Sequence, residues 1–464
     1  MKNLILIITA FIFSSCGNGQ TKEKIFLEES LPQTVKVDPK LINNLISDIR
    51  SDKIKNIHGL LIIKDDKLIT EEYFGSFNRD ELHYSASVSK SFASALLGIA
   101  IDKGFFDGDI QTVLNKNVVE LFPKYADIIS QDSLKKDLKL KHILSMTAGF
   151  EWDEHTYPYT DSRNDCNRIN NSNEPMKFLF ERKLIQKPGI DFYYNGGLSL
   201  SISYLFEEYT NMSVDDFANK YLFKPLGIDY YQWDNVAHGL IDTDGGLTIK
   251  PIDQAKLGYL FLNNGIWNNQ QIVSKEWVTT STKMQIKNDN MPDYAYQWWG
   301  GNYGVQNQTY FIYMASGHGG QKIVVIPQFN TVVVITQQVF NNQFGDLNFI
   351  AIMSDYILPA LSNEKSNDRT TSVPVDQLTK YEGHFVLENN TEFIDIKVKD
   401  STLIGISSDG QENTFIPTSE NVFKTRVMDL FDIYIEFIYD SSGKIESIDS
   451  NFAFTHKRYH KTNN

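Results

Sequence analysis

Residues 84–92 read YSASVSKSF and contain a Ser-x-x-Lys motif formed by Ser87 and Lys90. From residue 88 onward apolar side chains recur at helical spacing, and residues 102–104, DKG, supply a helix stop. Because residues three apart lie on one face of a helix, a helix that begins at Ser87 directs its hydroxyl and the Lys90 ammonium into the same space. A serine hydroxyl needs a neighbouring base, and lysine is such a base only if burial or nearby positive charge lowers its pKa.

The Ser-x-x-Lys pattern is a weak indication by itself, because Ser133-x-x-Lys136 and Ser441-x-x-Lys444 match the same four positions. Their contexts differ. Ser133 lies in a polar run and Ser441 in a turn between predicted strands, whereas Ser87 opens a helix with an apolar face. Two interpretations of Ser87 stand at this point, a nucleophile and a helix N-cap.

A second motif, residues 188–197 (PGIDFYYNGG), leads from a Pro-Gly turn into an aromatic pair and then a glycine break. A tyrosine beside the serine and the lysine can shuttle a proton to a leaving group. The alternative is that the tyrosine only packs against its neighbours, as tyrosines near glycine turns commonly do.

A third motif, residues 316–321 (SGHGGQ), precedes a predicted strand. Glycines at the start of a strand let a ligand approach the backbone closely, and N–H groups there can stabilise an oxyanion. The alternative is a plain glycine-rich turn in which His318 is a solvated side chain.

Apolar runs near both ends of the central region predict strands. Residues 59–63 and 68–73 form one predicted hairpin, and residues 322–327 and 331–336 form another. The second pair is continuously apolar, which indicates a sheet covered on both faces. Helical patterns fill the interval up to about residue 280. We therefore expect an α+β fold, with a sheet built from both ends of the chain and a helical subdomain between them.

The last part of the chain has a different pattern. Residues 362–374 (SNEKSNDRTTSVP) read as a linker between a catalytic domain, 41–361, and a C-terminal domain, 375–464. In the C-terminal domain, short strands are separated by Asn-Asn, Asp-Gly and Ser-Ser-Gly turns, which predicts a small all-β domain.

The N-terminus is typical of a secreted bacterial lipoprotein. A short basic start precedes an apolar run, residues 4–13, which is too short to span a bilayer and resembles the apolar region of a signal peptide. Small residues then lead to Cys16, which we expect to be lipidated after removal of residues 1–15, with residues 16–40 as a tether. The alternative is an ordinary cleaved signal peptide. Cys166 is the other cysteine of the chain and is expected to be structural.

Length and charge restrict the class of protein. The 464 residues indicate two or three domains. The net charge of −14 argues against a nucleic-acid partner, because phosphate binding requires clustered lysine and arginine. We expect a small-molecule or peptide substrate with a carbonyl group, a membrane association through the lipid anchor, and no metal or organic cofactor.

Taken in order, the three motifs resemble the signature elements of the serine β-lactamase and penicillin-binding-protein superfamily. Their order and separation are similar to those of the class C β-lactamase-related branch, which includes esterases, amidases and D-peptidases. The resemblance covers about residues 50–360. The stretches that support it are residues 140–149, 222–228, 245–247 and 296–299.

This resemblance implies a fold and a site. The implied fold is a β-lactamase/transpeptidase-like mixed sheet flanked by helices, with an all-helical subdomain. The resemblance implies Ser87 as nucleophile, with Lys90 and Tyr194 as general base and acid. It also implies that the backbone N–H groups of Ser87 and Gln321 stabilise the oxyanion. The remaining residues expected to bind substrate are His318, Gly320 and Asn195.

Two departures from the family pattern bear on specificity. Tyr193-x-Asn195 matches the family Tyr-x-Asn literally, whereas Tyr194 matches its distance from Pro-Gly; we favour Tyr194. Gly196 then stands where true β-lactamases have an amide-binding asparagine. His318 stands where many β-lactamases have lysine, and a neutral imidazole recognises a carboxylate less strongly than an ammonium does. Both departures favour an esterase, amidase or peptidase.

The sequence therefore predicts a serine hydrolase of the cell envelope that cleaves an ester or amide bond through a Ser87 acyl-enzyme. One alternative is a D,D-carboxypeptidase, D-aminopeptidase or β-lactamase that acts on cell-wall peptides or β-lactams. Another is a non-catalytic lipoprotein that binds the cell wall and keeps the fold as a scaffold.

Overall fold

The computed structural model describes residues 27–288, 291–305, 308–340, 344–362, 371, 373–389, 391–428 and 430–462. The predicted signal peptide, Cys16, the first part of the tether and most of the predicted linker lie outside the described residues. None of the helices in the described ranges is both long and apolar enough to cross a bilayer.

The strands of the N-terminal part are β1 Glu28–Glu29, β2 Ile57–Lys64, β3 Lys67–Tyr73, β4 His83–Tyr84, β5 Tyr231–Trp233, β6 Leu247–Ile249, β7 Ile266–Trp267, β8 Gln270–Gln271, β9 Asp293–Tyr294, β10 Trp299–Val305, β11 Gln308–Gly317, β12 Gln321–Ile326 and β13 Thr331–Gln337. The C-terminal strands are β14 Gly383–Leu387, β15 Phe393–Lys399, β16 Thr402–Ser407, β17 Glu412–Pro417, β18 Val422–Val427, β19 Phe431–Tyr439, β20 Ile445–Phe452 and β21 Thr455–Thr462.

The α-helices are α1 Pro39–Arg50, α2 Ser89–Asp102, α3 Ile110–Leu114, α4 Val118–Leu121, α5 Ala126–Ser130, α6 Leu140–Leu144, α7 Asp165–Asn170, α8 Pro175–Phe180, α9 Gly196–Thr210, α10 Val214–Ala218, α11 Lys224–Leu226, α12 Pro251–Leu262, α13 Lys275–Thr282, α14 Phe344–Ala351, α15 Leu358–Ser362 and α16 Val375–Leu378. A π-helical turn, Ile352–Ile357, joins α14 to α15.

The main sheet has the strand order β1-β3-β2-β13-β12-β11-β10-β9. β1 runs parallel to β3, and the other pairs are antiparallel. β2 pairs with β13, which places Leu60 opposite Ile335. The sheet is thus built from both ends of the catalytic region, and the prediction of an α+β fold with a mixed sheet flanked by helices is confirmed.

Alternate residues of the central strands point to two separate cores. Ile323 and Val325 join a cluster that includes α2 and the helices between β4 and β9, which we call the front core. Val324 and Ile326 join a cluster that includes α1 and the π-helical turn, which we call the rear core. Because both faces are covered, β12 and β13 are buried along their whole length, as their continuous apolar runs predict.

The C-terminal strands β14–β21 form a closed antiparallel barrel, so the prediction of an appended all-β domain is confirmed. Its interior is filled by aromatic rings, with Tyr381, Phe423 and Phe437 in mutual contact. Closure removes the unpaired edges that an open sheet of this size exposes.

The barrel packs against the main sheet from the rear. Gly304 of β10 and Ala453, in the turn between β20 and β21, exchange backbone hydrogen bonds of 2.6 and 2.9 Å. Ala453 and the adjacent Phe454 pack on the rear core. Nearby, Arg426 of β18 forms an ion pair of 2.9 Å with Asp355 of the π-helical turn. The barrel therefore joins the face of the sheet opposite α2.

Candidate active site

The serine of the first motif lies in a tight turn before α2. Ala86–Val88 forms one turn of 3-10 helix, α2 begins at Ser89, and Ala86 has a φ of 47°. A left-handed conformation is uncommon for a residue with a side chain and is held here by surrounding contacts. Ser89 Oγ donates to the Ala86 carbonyl at 2.7 Å. Ser85 N donates to the Leu247 carbonyl at 2.9 Å, which fixes the other side of the turn on β6.

Ser87 is half-buried and does not cap α2. The N-cap position of α2 is Val88, and no side chain accepts a hydrogen bond from the first turn. Lys90 Nζ instead donates to Ser87 Oγ at 2.9 Å. The spacing of three residues thus brings the hydroxyl and the amine together as predicted, although the turn that carries Ser87 is 3-10 rather than α.

Lys90 is 2% exposed and is held by a carboxylate that the sequence did not indicate. Its Nζ donates to the Asp244 backbone carbonyl at 2.7 Å and forms an ion pair with Asp244 Oδ1. Burial alone disfavours the ammonium, but electrostatic interactions, with Asp244 first and then Tyr194 and Glu154, outweigh burial and raise the pKa of Lys90 well above its ordinary value. The condition under which lysine acts as a base, a lowered pKa, is therefore not met while the ion pair with Asp244 is formed.

Tyr194 is the tyrosine that lies beside the lysine. Lys90 Nζ is 5.0 Å from the centroid of the Tyr194 ring. The ring stacks on Trp299 of β10 at a centroid distance of 5.8 Å. Burial raises the pKa of Tyr194 to about 12, with the nearby Lys90 charge acting in the opposite direction. Tyr193 points elsewhere, because its hydroxyl donates to the Trp152 carbonyl at 2.6 Å.

Glu154 is a second buried carboxyl group near the lysine. Its Oε2 accepts hydrogen bonds from Trp152 Nε1 at 2.6 Å and from the Gly196 backbone at 2.7 Å. Its Oε1 accepts one from the Tyr159 hydroxyl at 3.2 Å. Burial and the negative charge of Asp244 raise the pKa of Glu154 to about 7. Both oxygens of this carboxyl group are thus engaged by the walls of the site.

Asp242 and Cys166 complete the surroundings of Asp244. Asp242 Oδ1 accepts hydrogen bonds of 3.0 Å from the backbone N–H groups of Asp244 and Gly245. Burial, with Asp244 next, raises the pKa of Asp242 to about 7. Cys166 Sγ donates to Asp244 Oδ2 at 3.0 Å. Cys166 is 4% exposed, so the prediction of a structural thiol agrees with its position.

The third motif lies against the serine turn. A Cβ on Gly317, the last residue of β11, would lie 2.4 Å from the Ser85 carbonyl oxygen, so only glycine permits this approach. Gly320 has a φ of 92° and would meet the Gln337 side chain at 2.5 Å if it carried a Cβ. Gln321 opens β12 and is fully buried, and its side chain bonds to the Gln337 backbone. The Gln321 side chain is therefore engaged within the protein and does not face a ligand.

His318 and Asn195 occupy different positions relative to solvent. His318 is exposed and lies between two aromatic rings, with centroid distances of 5.5 Å to Tyr159 and 5.6 Å to Phe340. Asn195 is buried, and its Oδ1 accepts a hydrogen bond of 3.2 Å from Leu198 N, so it caps α9. A role of either side chain in binding substrate stays a prediction.

Asp244, Glu154 and Asp242 were missed because no helical or strand spacing connects them with the serine motif. Asp244 contacts Lys90 from the loop before β6, and Glu154 lies in the loop after α6. The one local signal was the run of residues 242–246, DTDGG, next to the stretch 245–247 that supports the family resemblance. Within the described ranges, no group of three His, Cys, Asp or Glu side chains is arranged to hold a metal ion.

Comparison with known proteins identifies the class. Residues 52–355 match the Beta-lactamase family, and the chain belongs to this family, a class of serine hydrolases. The 6-aminohexanoate-dimer hydrolase of Paenarthrobacter ureafaciens is 23% identical over 228 residues, which are 47% of this chain and 55% of that enzyme. The chain thus matches about half the length of this relative.

Two solved structures share the fold. A candidate 6-aminohexanoate-dimer hydrolase from Bacillus anthracis superimposes with a TM-score of 0.57 at 18% identity, over 73% of this chain and 88% of that chain. The octameric penicillin-binding protein homologue from Pyrococcus abyssi gives a TM-score of 0.54 at 18% identity, over 90% of this chain and 99% of that chain. The resemblance to the β-lactamase and penicillin-binding-protein superfamily is thereby confirmed.

Proposed function

We propose that this protein cleaves an ester or amide bond through an acyl-enzyme formed on Ser87. The observation that carries the proposal is the 2.9 Å hydrogen bond from Lys90 Nζ to Ser87 Oγ at the start of a buried helix. A serine with a positioned amine beside it is the arrangement that an activated nucleophile requires. The second candidate, a non-catalytic scaffold, does not need this hydrogen bond or the strained turn at Ala86.

In the proposed reaction, Ser87 Oγ attacks the substrate carbonyl and its proton moves to the Lys90 amine. The backbone N–H groups of Ser87 and Gln321 hold the developing oxyanion, and loss of one such donor typically costs about 3–4 kcal/mol of transition-state stabilisation. Tyr194 passes a proton to the leaving group, and water then releases the acyl group. The ring of Tyr194, 5.0 Å from Lys90 Nζ, supports this assignment over Tyr193.

We propose that the substrate is an ester or amide without a carboxylate beside the scissile bond. Lys322, the lysine nearest the third motif in sequence, is 3% exposed and is bound by Asp346 at 2.7 Å and Ser316 at 2.6 Å. An ammonium engaged in this way is a poor partner for a substrate carboxylate. Similarity to an enzyme named for hydrolysis of a 6-aminohexanoate dimer favours an amide. A cell-wall D,D-peptidase or β-lactamase would need a cation for the substrate carboxylate.

The test is intact-protein mass spectrometry after treatment with a fluorophosphonate and, separately, with a penicillin. We expect a single phosphonate adduct on the wild type and none on Ser87→Ala. Ser133→Ala is the matched control, because it removes the serine of another Ser-x-x-Lys pattern and should label like the wild type. An adduct that persists on Ser87→Ala would contradict the assignment. Penicillin adducts would favour the peptidase or β-lactamase candidate, and the absence of both adducts on folded protein would favour the scaffold.

We also propose that the mature protein is anchored to the bacterial cell envelope by lipid on Cys16. The apolar run of residues 4–13 and the small residues before Cys16 support this proposal. Lipidated protein should enter the detergent phase in a phase-partitioning assay, and Cys16→Ser should remain in the aqueous phase. Wild-type protein found in the aqueous phase would contradict the anchor.

A further inference from the structure

The first residue of α9, Gly196, faces the Asp244 carboxyl group across a very short gap. A Cβ added at Gly196 would lie 2.6 Å from Asp244 Oδ2 and 2.7 Å from Asp244 Oδ1. Real Cβ atoms do not approach oxygen this closely, so a side chain at position 196 and the carboxyl group of residue 244 exclude each other. Asp244, in the loop before β6, therefore fills the volume next to Lys90 that a side chain at position 196 of α9 would otherwise occupy.

Asp244 is held in this place by contacts on both oxygens. Its Oδ1 forms the ion pair with Lys90 Nζ, and its Oδ2 accepts the hydrogen bond of Cys166 at 3.0 Å. Its own backbone N donates to Asp242 at 3.0 Å, and the residue is 7% exposed. A carboxylate fixed on both oxygens keeps the lysine amine in one position, which is 2.9 Å from Ser87 Oγ.

The charges of the site leave the acylation step without a free base at neutral pH. The pKa of Lys90 is raised well above its ordinary value, with burial opposed and outweighed by Asp244, Tyr194 and Glu154. Burial raises the pKa of Tyr194 to about 12. The amine must therefore lose a proton before it can accept the one on Ser87. Among the described residues, Asp244 supplies the carboxylate that contacts Lys90 Nζ.

We propose that Asp244 is a positioning residue that holds the Lys90 amine against Ser87 and takes up its proton during acylation. This inference rests on the proposed function. The Asp244 carboxyl group occupies the volume beside Lys90 that stays open because Gly196 of α9 has no side chain. The proton transfer to Asp244 also explains why a lysine so strongly paired with a carboxylate can still activate a serine.

In the proposed step, one proton moves between Asp244 and Lys90, and a second moves from Ser87 through Lys90 to the leaving group. Asp244 Oδ1 receives a proton from the Lys90 ammonium, which leaves a neutral amine and a neutral carboxylic acid. Ser87 Oγ forms its bond to the substrate carbonyl carbon while its proton moves to Lys90. The leaving group then takes a proton from Lys90, through Tyr194, as the scissile bond breaks. Asp244 finally returns its proton to Lys90, which restores the ion pair, and water repeats the sequence in deacylation.

Other titratable groups surround this pair, and their contacts distinguish them from Asp244. Both Glu154 oxygens are engaged by Trp152, Gly196 and Tyr159. Asp242 accepts hydrogen bonds from the backbone N–H groups of Asp244 and Gly245. The titratable groups that face the ion pair are Glu154, Cys166, Tyr194, Asp242, Tyr84, Tyr159 and Tyr294. Glu154 is therefore the matched control: a buried carboxyl group close to Lys90 without a hydrogen bond to its amine.

The experiment measures the rate of fluorophosphonate labelling, and of p-nitrophenyl butyrate hydrolysis, from acid to alkaline pH for the wild type, Asp244→Asn and Glu154→Gln. General acid–base groups commonly contribute 10²–10⁴-fold, so we expect Asp244→Asn to react about 100-fold more slowly than wild type at neutral pH. Asp244→Asn also removes the main charge that raises the pKa of Lys90, so the amine of the variant loses its proton to solvent at a lower pH than in the wild type, and the deficit in rate should shrink toward alkaline pH. Glu154→Gln should lose less than Asp244→Asn, because Glu154 has no hydrogen bond to the Lys90 amine, and its profile should differ from the wild type only by the titration near pH 7 that belongs to Glu154.

The inference is overturned if Asp244→Asn reacts within threefold of the wild type, or if its loss is the same at every pH. A folding control is available, because Gly196→Asp combined with Asp244→Gly returns a carboxyl group to the same volume from α9. We expect the double variant to react at least tenfold faster than the single variant Asp244→Gly. Equal rates of these two variants would count against the inference. Wild-type protein that fails to label would instead overturn the proposed function, so the two failures are distinguishable.

Discussion

Tyr193 and Tyr194 are neighbours in sequence whose hydroxyl groups serve different parts of the molecule. Tyr193 is 38% exposed and donates to the Trp152 carbonyl at 2.6 Å. Tyr194 lies over Lys90, with 5.0 Å between Nζ and the ring centroid, and stacks on Trp299. The turn that follows Pro188 and Gly189 thus separates a tyrosine of the outer wall from one in contact with the lysine.

We predict that Tyr194→Phe lowers the rate of catalysis, whereas Tyr193→Phe lowers stability and leaves catalysis nearly unchanged. Removal of the Tyr194 hydroxyl should lower kcat for p-nitrophenyl butyrate by about 100-fold with little change in KM, because a proton path to the leaving group is lost. Removal of the Tyr193 hydroxyl should leave kcat near the wild-type value and lower the free energy of unfolding by about 1 kcal/mol, through one lost hydrogen bond. The reverse order of the two kcat values would contradict the assignment.

Protonation of His58 should cost stability as pH falls from about 6.5 to about 4, whereas Glu154, Asp242 and Asp355, whose pKa values are raised in the folded protein, act in the opposite direction. His58 Nδ1 and His83 Nε2 share a hydrogen bond of 2.9 Å. Burial, with the charge of His83 second, lowers the pKa of His58 to about 4. Between these pH values the unfolded chain binds a proton at His58 that the folded chain does not, so the contribution of His58 favours unfolding as pH decreases.

Denaturant unfolding between pH 4 and pH 7 tests this prediction. His58→Asn should make the slope of the free energy of unfolding against pH less positive, because asparagine offers His83 a hydrogen bond and does not titrate. His142, whose pKa burial and two neighbouring lysines lower to about 4, contributes in the same direction as His58 and is retained in this variant. His460→Asn, which replaces an exposed histidine of β21, should leave the slope as in the wild type. A slope that is unchanged in His58→Asn would contradict the role of this pair.

Cys166 should resist alkylation in the folded protein. Burial, followed by the negative charges of Asp244 and Glu154, raises the pKa of its thiol well above the ordinary value. The thiolate is the reactive form, and Cys166 as a residue is 4% exposed. In Cys16→Ser protein, which keeps Cys166 as its one thiol, iodoacetamide should react after unfolding in denaturant and not before. Rapid native alkylation would show that the loop around Asp244 opens.

The ion pair between Arg426 of the barrel and Asp355 of the π-helical turn should stabilise the fold without affecting the chemistry. Arg426 bonds to Asp355 at 2.9 Å and to Asp432 at 3.1 Å. Burial raises the pKa of Asp355 to about 6 despite Arg426, so removal of the cation leaves an unfavourable carboxylate. Arg426→Ala should lower the free energy of unfolding by about 1–3 kcal/mol. Its labelling rate should match the wild type, because the barrel packs on the rear core; a tenfold slower rate would contradict this separation.

The parts of the site that local spacing determines were predictable from sequence. Ser87 and Lys90 meet because they are three residues apart in one helical segment, and the distance from Pro-Gly selects Tyr194. The mixed sheet followed from four apolar runs, and the closed barrel was anticipated as an all-β domain. Each of these features depends on residues close together in the chain or on one repeated pattern.

The electrostatic state of Lys90 could not be predicted in this way. It depends on Asp244, which is distant in sequence and reaches the amine through an irregular loop. No periodicity connects an aspartate in a turn with a helix that starts at residue 89. The sequence therefore predicted which groups meet at the serine, but it left the direction of the lysine pKa shift open, because one carboxylate contributed by tertiary structure determines that direction.

The pairing of β2 with β13 has a consequence for synthesis on the ribosome. Leu60 leaves the ribosome early, whereas its partner Ile335 is added only after the whole helical subdomain. Until β13 is synthesised, the edge of β2 that pairs with β13 stays unpaired in the β2–β3 hairpin. An unpaired apolar strand edge can pair with other chains. The nascent chain is thus most prone to aggregate during the interval between these two strands, and shortening that interval should raise the yield of folded protein.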